Sequence, residues 1–226
     1  MTTTAILTAA GSGTRLGAAV PKALVPVNGT PMVTLAAANL FASAVIDELI
    51  VTVPDGFADQ FESTLSGMEY PITIVTGGET RQASIEAALD RLSRSCTKVM
   101  VHDAARPFAS PKLIAKVSEA LDGQVKAVIP ALPVTDTIKQ VTGQQSEVVA
   151  STLDRTVLRA VQTPQGFDRA TLDRAYQNAH QNNITGTDDA SLVEALGVEV
   201  KVVLGEAAAL KITTPTDLKI ATLLYA

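Results

Sequence analysis

Cysteine, histidine and tryptophan are almost missing from this sequence of 226 residues. It contains one cysteine, Cys96, two histidines and no tryptophan. A single cysteine excludes an internal disulfide framework and fits a reducing compartment. Without a cluster of cysteines and histidines, the sequence also argues against a structural zinc site.

Long apolar runs are absent as well. Hydrophobic residues make up 46% of the chain, yet no run approaches the roughly 18 uninterrupted apolar residues of a membrane span. The first residues also lack a basic region followed by a cleavage site. We therefore expect a cytoplasmic protein without a membrane partner.

Excess positive charge is the third absence, because the formal net charge is −5. Such a chain has no overall positive field to attract nucleic acid, and we expect no nucleic-acid partner. A polyanionic ligand must then meet local groups of lysine and arginine, which directs attention to cations beside glycine-rich turns.

Short β-branched segments alternate with longer amphipathic ones. The hydrophobic pattern predicts buried strands at residues 5–8, 49–53, 72–75, 99–102 and 127–129. It predicts helices at residues 32–42, 57–65, 83–92, 113–121, 170–181 and 190–196, a strand at 198–204 and a last helix after Thr214-Pro215. This alternation is typical of an α/β, Rossmann-like fold: a mostly parallel sheet with helices on both faces.

Residues 135–152 interrupt this rhythm with period-2 patterning around Thr142-Gly143-Gln144, which predicts a β-hairpin. We predict a single domain over residues 1–226, with residues 135–152 as an inserted β-arm. The pattern alone leaves open whether the arm pairs with a second subunit or is a solvated flap.

A glycine-rich segment with two cations follows the first predicted strand. Residues 9–17 read AAGSGTRLG, and Pro21 and Lys22 come soon after. Ligands of open α/β sheets bind beyond the carboxyl ends of the strands, where this segment must lie. Glycines let the backbone approach a phosphate, and Arg15 and Lys22 add positive charge. The segment therefore predicts a phosphate-binding loop.

Two better-known glycine motifs do not fit this segment. A dinucleotide-binding fingerprint needs a different glycine spacing and an uninterrupted helix, whereas Pro21 stands in the way. A P-loop needs lysine and then serine or threonine directly after the last glycine, and Gly17 is followed by Ala18. An ordinary turn would leave Arg15 and Lys22 unexplained.

A carboxylate follows the fourth predicted strand in the segment His102 to Pro107, which reads HDAARP. Asp103 is a suitable Mg²⁺ ligand there, because Mg²⁺ binds one or two carboxylates together with phosphate oxygens and water. The alternative is a plain ion pair between Asp103 and Arg106 in a turn. We interpret His102 as a packed histidine rather than a catalyst.

A weaker signal follows the third predicted strand, where Gly77 and Gly78 precede a helix. A free helix N-terminus suits backbone contacts to a base or phosphate. Thr80 is equally suited to be a simple N-cap of that helix.

Together these segments resemble the 2-C-methyl-D-erythritol 4-phosphate cytidylyltransferase family. Four further short segments also resemble the family, and all of the segments occur in the family's order along the chain. The four are Asp136-Thr137, Asp154-Arg155, Thr163-Pro164-Gln165 and Lys211-Ile212-Thr213. The resemblance covers nearly the whole chain. It implies an enzyme of isoprenoid precursor biosynthesis that transfers the cytidylyl group of CTP to 2-C-methyl-D-erythritol 4-phosphate, giving 4-diphosphocytidyl-2-C-methyl-D-erythritol and pyrophosphate.

The resemblance also implies roles for individual residues. The catalytic cations are Arg15, Lys22 and Lys211. The nucleotide-binding residues are Ala9, Ala10, Gly11, Ser12, Gly13, Thr14, Gly78, Arg81, Ser84 and Ala104. The residues that bind the polyol phosphate or line its pocket are Arg106, Thr137, Arg155, Thr163 and Asp188. Asp103 is the implied Mg²⁺ ligand, and Thr137 and Arg155 are implied to reach across a homodimer through the 135–152 arm.

One departure from the family concerns the metal. Some members carry an acidic residue shortly before the lysine that matches Lys211, where this chain has Ala207, Ala208 and Ala209. Glu206 is the nearest carboxylate, and its spacing is too long to assume equivalence. We therefore expect Mg²⁺ to rest on Asp103, phosphate oxygens and water.

The resemblance implies six cations gathered at one edge of the sheet, which would let a chain of net charge −5 bind two anionic substrates. These are Arg15, Lys22, Arg81, Arg106, Arg155 and Lys211.

Three other functions stay open. The acceptor could be ribitol 5-phosphate, or the enzyme could use UTP or GTP with a sugar 1-phosphate. The chain could also be a non-catalytic nucleotide-binding module. The joint presence of Arg15, Lys22, Asp103 and Lys211 argues against that last function.

Overall fold

The computed structural model describes residues 2–11, 13–143, 145 and 147–225. The strands are β1 (Thr2–Thr8), β2 (Pro26–Val27), β3 (Thr30–Pro31), β4 (Glu48–Val53), β5 (Ile72–Thr76), β6 (Cys96–Asp103), β7 (Ala127–Pro133), β8 (Lys139–Val141), β9 (Val149–Thr152), β10 (Arg159–Val161), β11 (Gln165–Asp168) and β12 (Lys201–Leu204). The α-helices are α1 (Met32–Ala42), α2 (Ala58–Leu65), α3 (Arg81–Leu89), α4 (Pro111–Glu119), α5 (Arg169–Asn182), α6 (Asp189–Glu194) and α7 (Pro215–Leu224). Short 3₁₀ turns span Thr14–Leu16, Lys22–Leu24 and Arg155–Val157.

The main sheet is mostly parallel, as the alternating pattern predicts. Across the described residues it has eight strands in the order β10-β7-β11-β6-β1-β4-β5, with β12 paired to β7. Strands β6, β1, β4 and β5 run parallel, and β12 runs parallel to β7. Strands β10 and β11 are antiparallel to β7, and β11 is also antiparallel to β6.

The core lies on both faces of this sheet, because successive strand residues point to opposite sides. In β1, Leu7 packs in the cluster that contains Leu40 of α1, Phe61 of α2 and Ile114 of α4. Its neighbour Ile6 packs in the opposite cluster, with Ile85 of α3, Leu172 of α5 and Val193 of α6. Helices therefore cover both faces, and the predicted fold class is confirmed.

The antiparallel segments β10 and β11 were not predicted from the hydrophobic pattern. Both are short, and β11 contains Gly166, which closely approaches Val117 and Met100 and leaves no room for a side chain. A small hairpin, β2–β3, was also missed, although its turn residues are Asn28 (φ 49°) and Gly29 (φ 82°). Asn-Gly is a strong hairpin signal because both positions favour positive φ.

The 135–152 arm is a hairpin, as predicted. Strands β8 and β9 pair with each other in a two-stranded sheet apart from the main one. Gln144, which was placed in the predicted turn, lies outside the described residues. The arm presents apolar side chains to solvent, since Val141 is 42% exposed and Val149 is 52% exposed.

None of the described helices is long and apolar enough to cross a membrane.

Candidate functional site

Three loops leave the carboxyl edge of the sheet, after the neighbouring strands β6 and β1 and after β5. The N–H of Ala9 donates to the carbonyl of Thr52 (2.9 Å), and that of Ala104 donates to Thr8 (3.1 Å). The N–H of Gly77 donates to Val53 (2.8 Å). These bonds extend the strand ladders beyond β1, β6 and β5, so the three glycine- or aspartate-containing segments border one cleft of about 460 Å³.

Most predicted nucleotide-site residues line this cleft. They are Ala9, Ala10, Gly11, Gly13, Arg15, Lys22, Gly78, Arg81, Ser84, Asp103, Ala104 and Lys211. Thr14 begins a 3₁₀ turn beside it, and Ser12 lies outside the described residues. The prediction missed a further set of lining residues, namely Thr8, Ala23, Thr52, Glu79, Thr80, Ala105 and Thr213.

Gly13 shows why the first loop needs glycine. Its φ is 68°, a conformation that L-residues with side chains rarely adopt, and a Cβ there would lie 2.5 Å from the Cβ of Lys22. The Gly13 carbonyl accepts a hydrogen bond from the N–H of Leu16 (2.8 Å), which closes the turn that carries Arg15. Glycine therefore lets the loop pack directly on Lys22.

Lys22 lies in a strongly positive environment. Its pKa is lowered from 10.5 to about 8, mainly by burial and then by the charges of Lys211 and Arg15, while Asp103 acts in the opposite direction. Positive groups held this close repel one another unless an anion lies between them. The cleft is thus built for an anionic ligand.

Asp103, at the end of β6, is surrounded by donors. Lys211 Nζ lies 2.7 Å from its Oδ2, and Arg81 Nε lies 3.4 Å from its Oδ1. The Thr8 hydroxyl donates to Oδ1 at 3.2 Å. Burial alone would raise the pKa of Asp103, but the charges of Arg81 and Lys211 outweigh it and hold the pKa well below its usual value. The carboxylate is therefore ionised.

His102 and Thr163 lie behind Asp103 rather than in the cleft. The Thr163 hydroxyl accepts from the N–H of Asp103 (3.1 Å) and shares a hydrogen bond with His102 Nδ1 (2.8 Å). Both side chains are buried. Burial lowers the pKa of His102 from 6.5 to about 4, so the ring is neutral at pH 7. This agrees with the interpretation of His102 as a packed histidine.

Lys211 is placed by the segment that follows β12. The N–H of Ile212 donates to the carbonyl of Ala105 (2.8 Å), which fixes this segment against the turn after Asp103. Arg106 Nη1 donates to the carbonyl of Ala209 (2.7 Å). The two contacts bring the Lys211 ammonium to Asp103.

Gln162 is a residue that the sequence analysis missed. Its side chain donates to the carbonyl of Glu206 (2.8 Å) and accepts from the N–H of the same residue (3.0 Å). This pair of bonds fixes the start of the segment that carries Lys211. A lone glutamine gives no recognisable pattern in a sequence.

The Asp103 carboxylate, which lines the cleft, is the candidate ligand for Mg²⁺. Among the described residues, no three His, Cys, Asp or Glu side chains come together to hold a metal. The Glu206 carboxylate accepts from the Ser110 hydroxyl (2.8 Å) at the start of α4, so it does not join Asp103. One ionised carboxylate at a cleft lined by cations suits Mg²⁺, which obtains its other ligands from phosphates and water.

Several predicted acceptor residues lie outside the cleft. Arg106 donates to the carbonyls of Ala209 and Val161. Asp188 caps α6 and accepts from Gln165 Nε2 (2.8 Å). These contacts give both side chains structural roles, and their roles toward the acceptor stay predictions.

Thr137 and Arg155 belong to the arm region. Thr137 is exposed, and Arg155 donates to the carbonyl of Thr135. Of the six cations expected at one edge of the sheet, four line the cleft, and the placement of Arg106 and Arg155 beside the substrates stays a prediction. Arg15, Lys22, Arg81 and Lys211 line the cleft, whereas the guanidinium of Arg106 is tied to backbone carbonyls and that of Arg155 to the arm.

The chain is similar to known proteins over nearly its whole length. A sequence model of the 2-C-methyl-D-erythritol 4-phosphate cytidylyltransferase family matches residues 3–225. The protein of that name from Streptomyces avermitilis is 44% identical over 227 residues, covering 97% of this chain and 90% of the relative. The one from Nocardia farcinica is 45% identical over 217 residues, covering 96% of this chain and 91% of the relative.

Solved structures give the same result. The 4-diphosphocytidyl-2C-methyl-D-erythritol synthase of Anaerococcus prevotii has a TM-score of 0.87 at 32% identity, covering 99% of this chain and 97% of that one. The 2-C-methyl-D-erythritol 4-phosphate cytidylyltransferase of Thermus thermophilus has a TM-score of 0.77 at 37% identity, covering 97% of both chains.

Proposed function

The chain belongs to the 2-C-methyl-D-erythritol 4-phosphate cytidylyltransferase family, and from this membership we propose its reaction. The enzyme transfers the cytidylyl group of CTP to 2-C-methyl-D-erythritol 4-phosphate. The products are 4-diphosphocytidyl-2-C-methyl-D-erythritol, an isoprenoid precursor, and pyrophosphate. The single observation that best supports this reaction is the convergence of four cations and Asp103 on one cleft at the carboxyl edge of the sheet.

The transfer is a direct displacement at the α-phosphorus of CTP. A phosphate oxygen of the acceptor attacks, a new P–O bond forms, and the bond to pyrophosphate breaks on the opposite side. A phosphate monoester is already an anion at neutral pH, so the reaction needs no strong general base. This supports a mechanism without His102, which is neutral and lies behind the cleft.

Catalysis then depends on positioning and charge neutralisation. Arg15 and Lys22 bind the α-phosphate and stabilise the charge that develops there, and Lys211 acts at the same phosphates. The glycine-rich loop holds the triphosphate by backbone N–H groups. The small residues Ala10 and Ser84 border the space for the nucleoside.

Asp103 is the residue that would hold Mg²⁺. When bound, the ion would supply positive charge to the triphosphate and the departing pyrophosphate. Asp103 suits this role because its carboxylate is ionised and reaches the cleft.

We further propose a homodimer that forms through the arm. Exposed apolar side chains support it, because Val149 on the arm is 52% exposed, Val157 just after it is 75% exposed and Leu204 on β12 is 61% exposed. In this dimer Thr137 and Arg155 bind the acceptor in the partner's cleft. Sedimentation showing only monomer at micromolar concentration would remove the shared site.

The proposed compartment is the cytoplasm. The free, buried thiol of Cys96 agrees with a reducing environment.

Labelled CTP tests the reaction class. With 2-C-methyl-D-erythritol 4-phosphate, label from [α-³²P]CTP is expected in the organic product, and label from [γ-³²P]CTP is expected in pyrophosphate. Transfer of the γ-label to the acceptor would instead identify a kinase and contradict the proposed function.

A further inference from the structure

Asp189 is a buried carboxylate that does not line the cleft. It is the first residue of α6, and its relative exposure is 0%. A charge buried this completely is costly unless it is paired and hydrogen-bonded. Its Oδ2 accepts from Arg81 Nη2 at 2.7 Å, and its Oδ1 accepts from the Tyr176 hydroxyl at 2.6 Å. Both oxygens are therefore occupied.

Arg81 connects this buried carboxylate to the cleft. It is the first residue of α3, a position where the helix dipole disfavours a positive charge. Helix formation therefore does not explain an arginine there, whereas Asp189 does. The charges of Asp189 and Asp103 outweigh burial and raise the pKa of Arg81 above its usual value. One rigid guanidinium thus bridges two carboxylates.

The two oxygens of Asp103 are held in different ways. Oδ1 faces Arg81, which is anchored on Asp189, and the hydroxyl of Thr8 on β1. Oδ2 faces Lys211, whose side chain is 42% exposed and has a flexible stem. One oxygen is thus fixed by anchored groups, and the other is paired with a movable cation.

We infer that Asp189, supported by Tyr176, is a positioning residue of the cytidylyl-transfer site. It holds Arg81 beside Oδ1 of Asp103, which fixes the carboxylate and leaves Oδ2 as the oxygen available to Mg²⁺. This inference rests on the proposed function, because only there is Asp103 a metal ligand. Without the negative charge of Asp189, the guanidinium of Arg81 would no longer be shared between two carboxylates and would be free to move toward Oδ2 of Asp103, where it would compete with Mg²⁺.

The test compares CTP affinity in Mg²⁺ and in EDTA by titration calorimetry. Asp189→Asn keeps the shape of the side chain but removes its charge. It is expected to weaken CTP binding about tenfold in Mg²⁺, the size typical of changes behind a metal ligand. In EDTA the loss should stay under about twofold, because Arg81 remains in the cleft and the other groups that contact the nucleotide, among them Arg15 and Lys22, are not displaced. Tyr176→Phe should weaken binding in the same direction by a smaller factor.

A matched control separates positioning from stability. Asp168 caps α5, the helix that carries Tyr176, by accepting from the N–H of Thr171 (3.1 Å). Asp168→Ala should lower the Tm without changing the ratio of the two affinities. If Asp189→Asn also lowers the Tm without changing the affinity ratio, or weakens CTP binding equally in both buffers, Asp189 is only structural and the inference fails. If Asp189→Asn does not fold, the affinity ratio of Tyr176→Phe decides in the same way.

Pyrophosphate release by the unaltered protein decides the proposed function separately. A protein that binds Mg²⁺ and CTP but releases no pyrophosphate would overturn that function, and the affinity ratio would still decide whether Asp189 positions Arg81.

Discussion

The ammonium group of Lys22 is half buried, and this burial, together with the charges of neighbouring cations, lowers its pKa to about 8. Such a group is costly in the empty cleft and is stabilised when a phosphate arrives. Its charge should interact most strongly with the transition state of cytidylyl transfer, in which negative charge shifts toward the α-phosphate oxygens and the departing pyrophosphate.

Lys22→Ala is expected to lower kcat on the order of 10²-fold or more, the loss typical of one preorganised charge donor. Steady-state pyrophosphate release measures this effect. Lys112→Ala, an exposed lysine on α4, is the matched control and should retain activity. A decrease below about threefold for Lys22→Ala would remove this residue from the mechanism.

The lowered pKa of Lys22 also predicts a pH dependence. Because the amine is charged only below its pKa, kcat/KM for CTP should fall as the pH rises through about 8. Lys22→Arg should abolish this fall, since arginine stays charged throughout that range. The same decline in both proteins would show that another group controls the profile.

At the scale of elements, the loop after β1 and the 3₁₀ turn Lys22–Leu24 behave as one unit. Gly13 and Gly17 have nearly equal φ values, 68° and 70°. A Cβ at position 13 would press on Lys22, whereas one at position 17 would meet no atom of the described residues within 4 Å. Alanine substitutions at the two positions therefore distinguish the effect of backbone strain, which both share, from the displacement of Lys22, which only the one at position 13 causes.

Gly13→Ala and Gly17→Ala should each lower the free energy of unfolding by about 1–2 kcal/mol, because alanine is strained at positive φ. Only Gly13→Ala should also cause a large loss of kcat. Denaturant unfolding and pyrophosphate release measure the two effects. Equal kcat values for both variants would contradict the packing of the loop on Lys22.

Elements with a strong local pattern could be predicted from the sequence. The spacing of Met32 to Ala42 gave α1 with its observed ends, and the Thr214-Pro215 signal gave the start of α7. The antiparallel pairing of β11 depends on contacts with β6 and β7, which no short segment specifies. Where the local sequence pattern was weak, contacts between distant strands therefore determined the secondary structure.

The candidate site divides in the same way. Residues within one motif, such as Gly13 and Arg15, could be predicted because they share a loop. Asp189 lies far along the chain from Arg81, and its pattern indicates only a helix start. Contacts of that range arise from the fold and leave no signature in a single sequence.

At the scale of the whole molecule, a chain of net charge −5 places four cations around one cleft. Local charge rather than total charge therefore governs the binding of CTP. The proposed homodimer adds a second property of this scale, because in it Thr137 and Arg155 would reach the cleft of the partner subunit.

Mixing two defective proteins tests that shared site. Arg155→Ala should raise KM for the polyol phosphate more than KM for CTP, and equal increases would contradict its acceptor role.

In a mixed dimer of Arg155→Ala and Lys22→Ala chains, one of the two shared sites contains both intact residues. After subunit exchange at low acceptor concentration, about a quarter of wild-type activity should return. No recovery in confirmed mixed dimers would place Arg155 in its own chain's site.

The most direct test of the whole account is pyrophosphate release from CTP and Mg²⁺ with two acceptors, 2-C-methyl-D-erythritol 4-phosphate and ribitol 5-phosphate. Strong turnover is expected with the methylerythritol phosphate alone. Turnover with ribitol 5-phosphate would support the assignment of the nucleotide site and contradict that of the acceptor. No turnover with either acceptor, by folded protein, would contradict the proposed reaction.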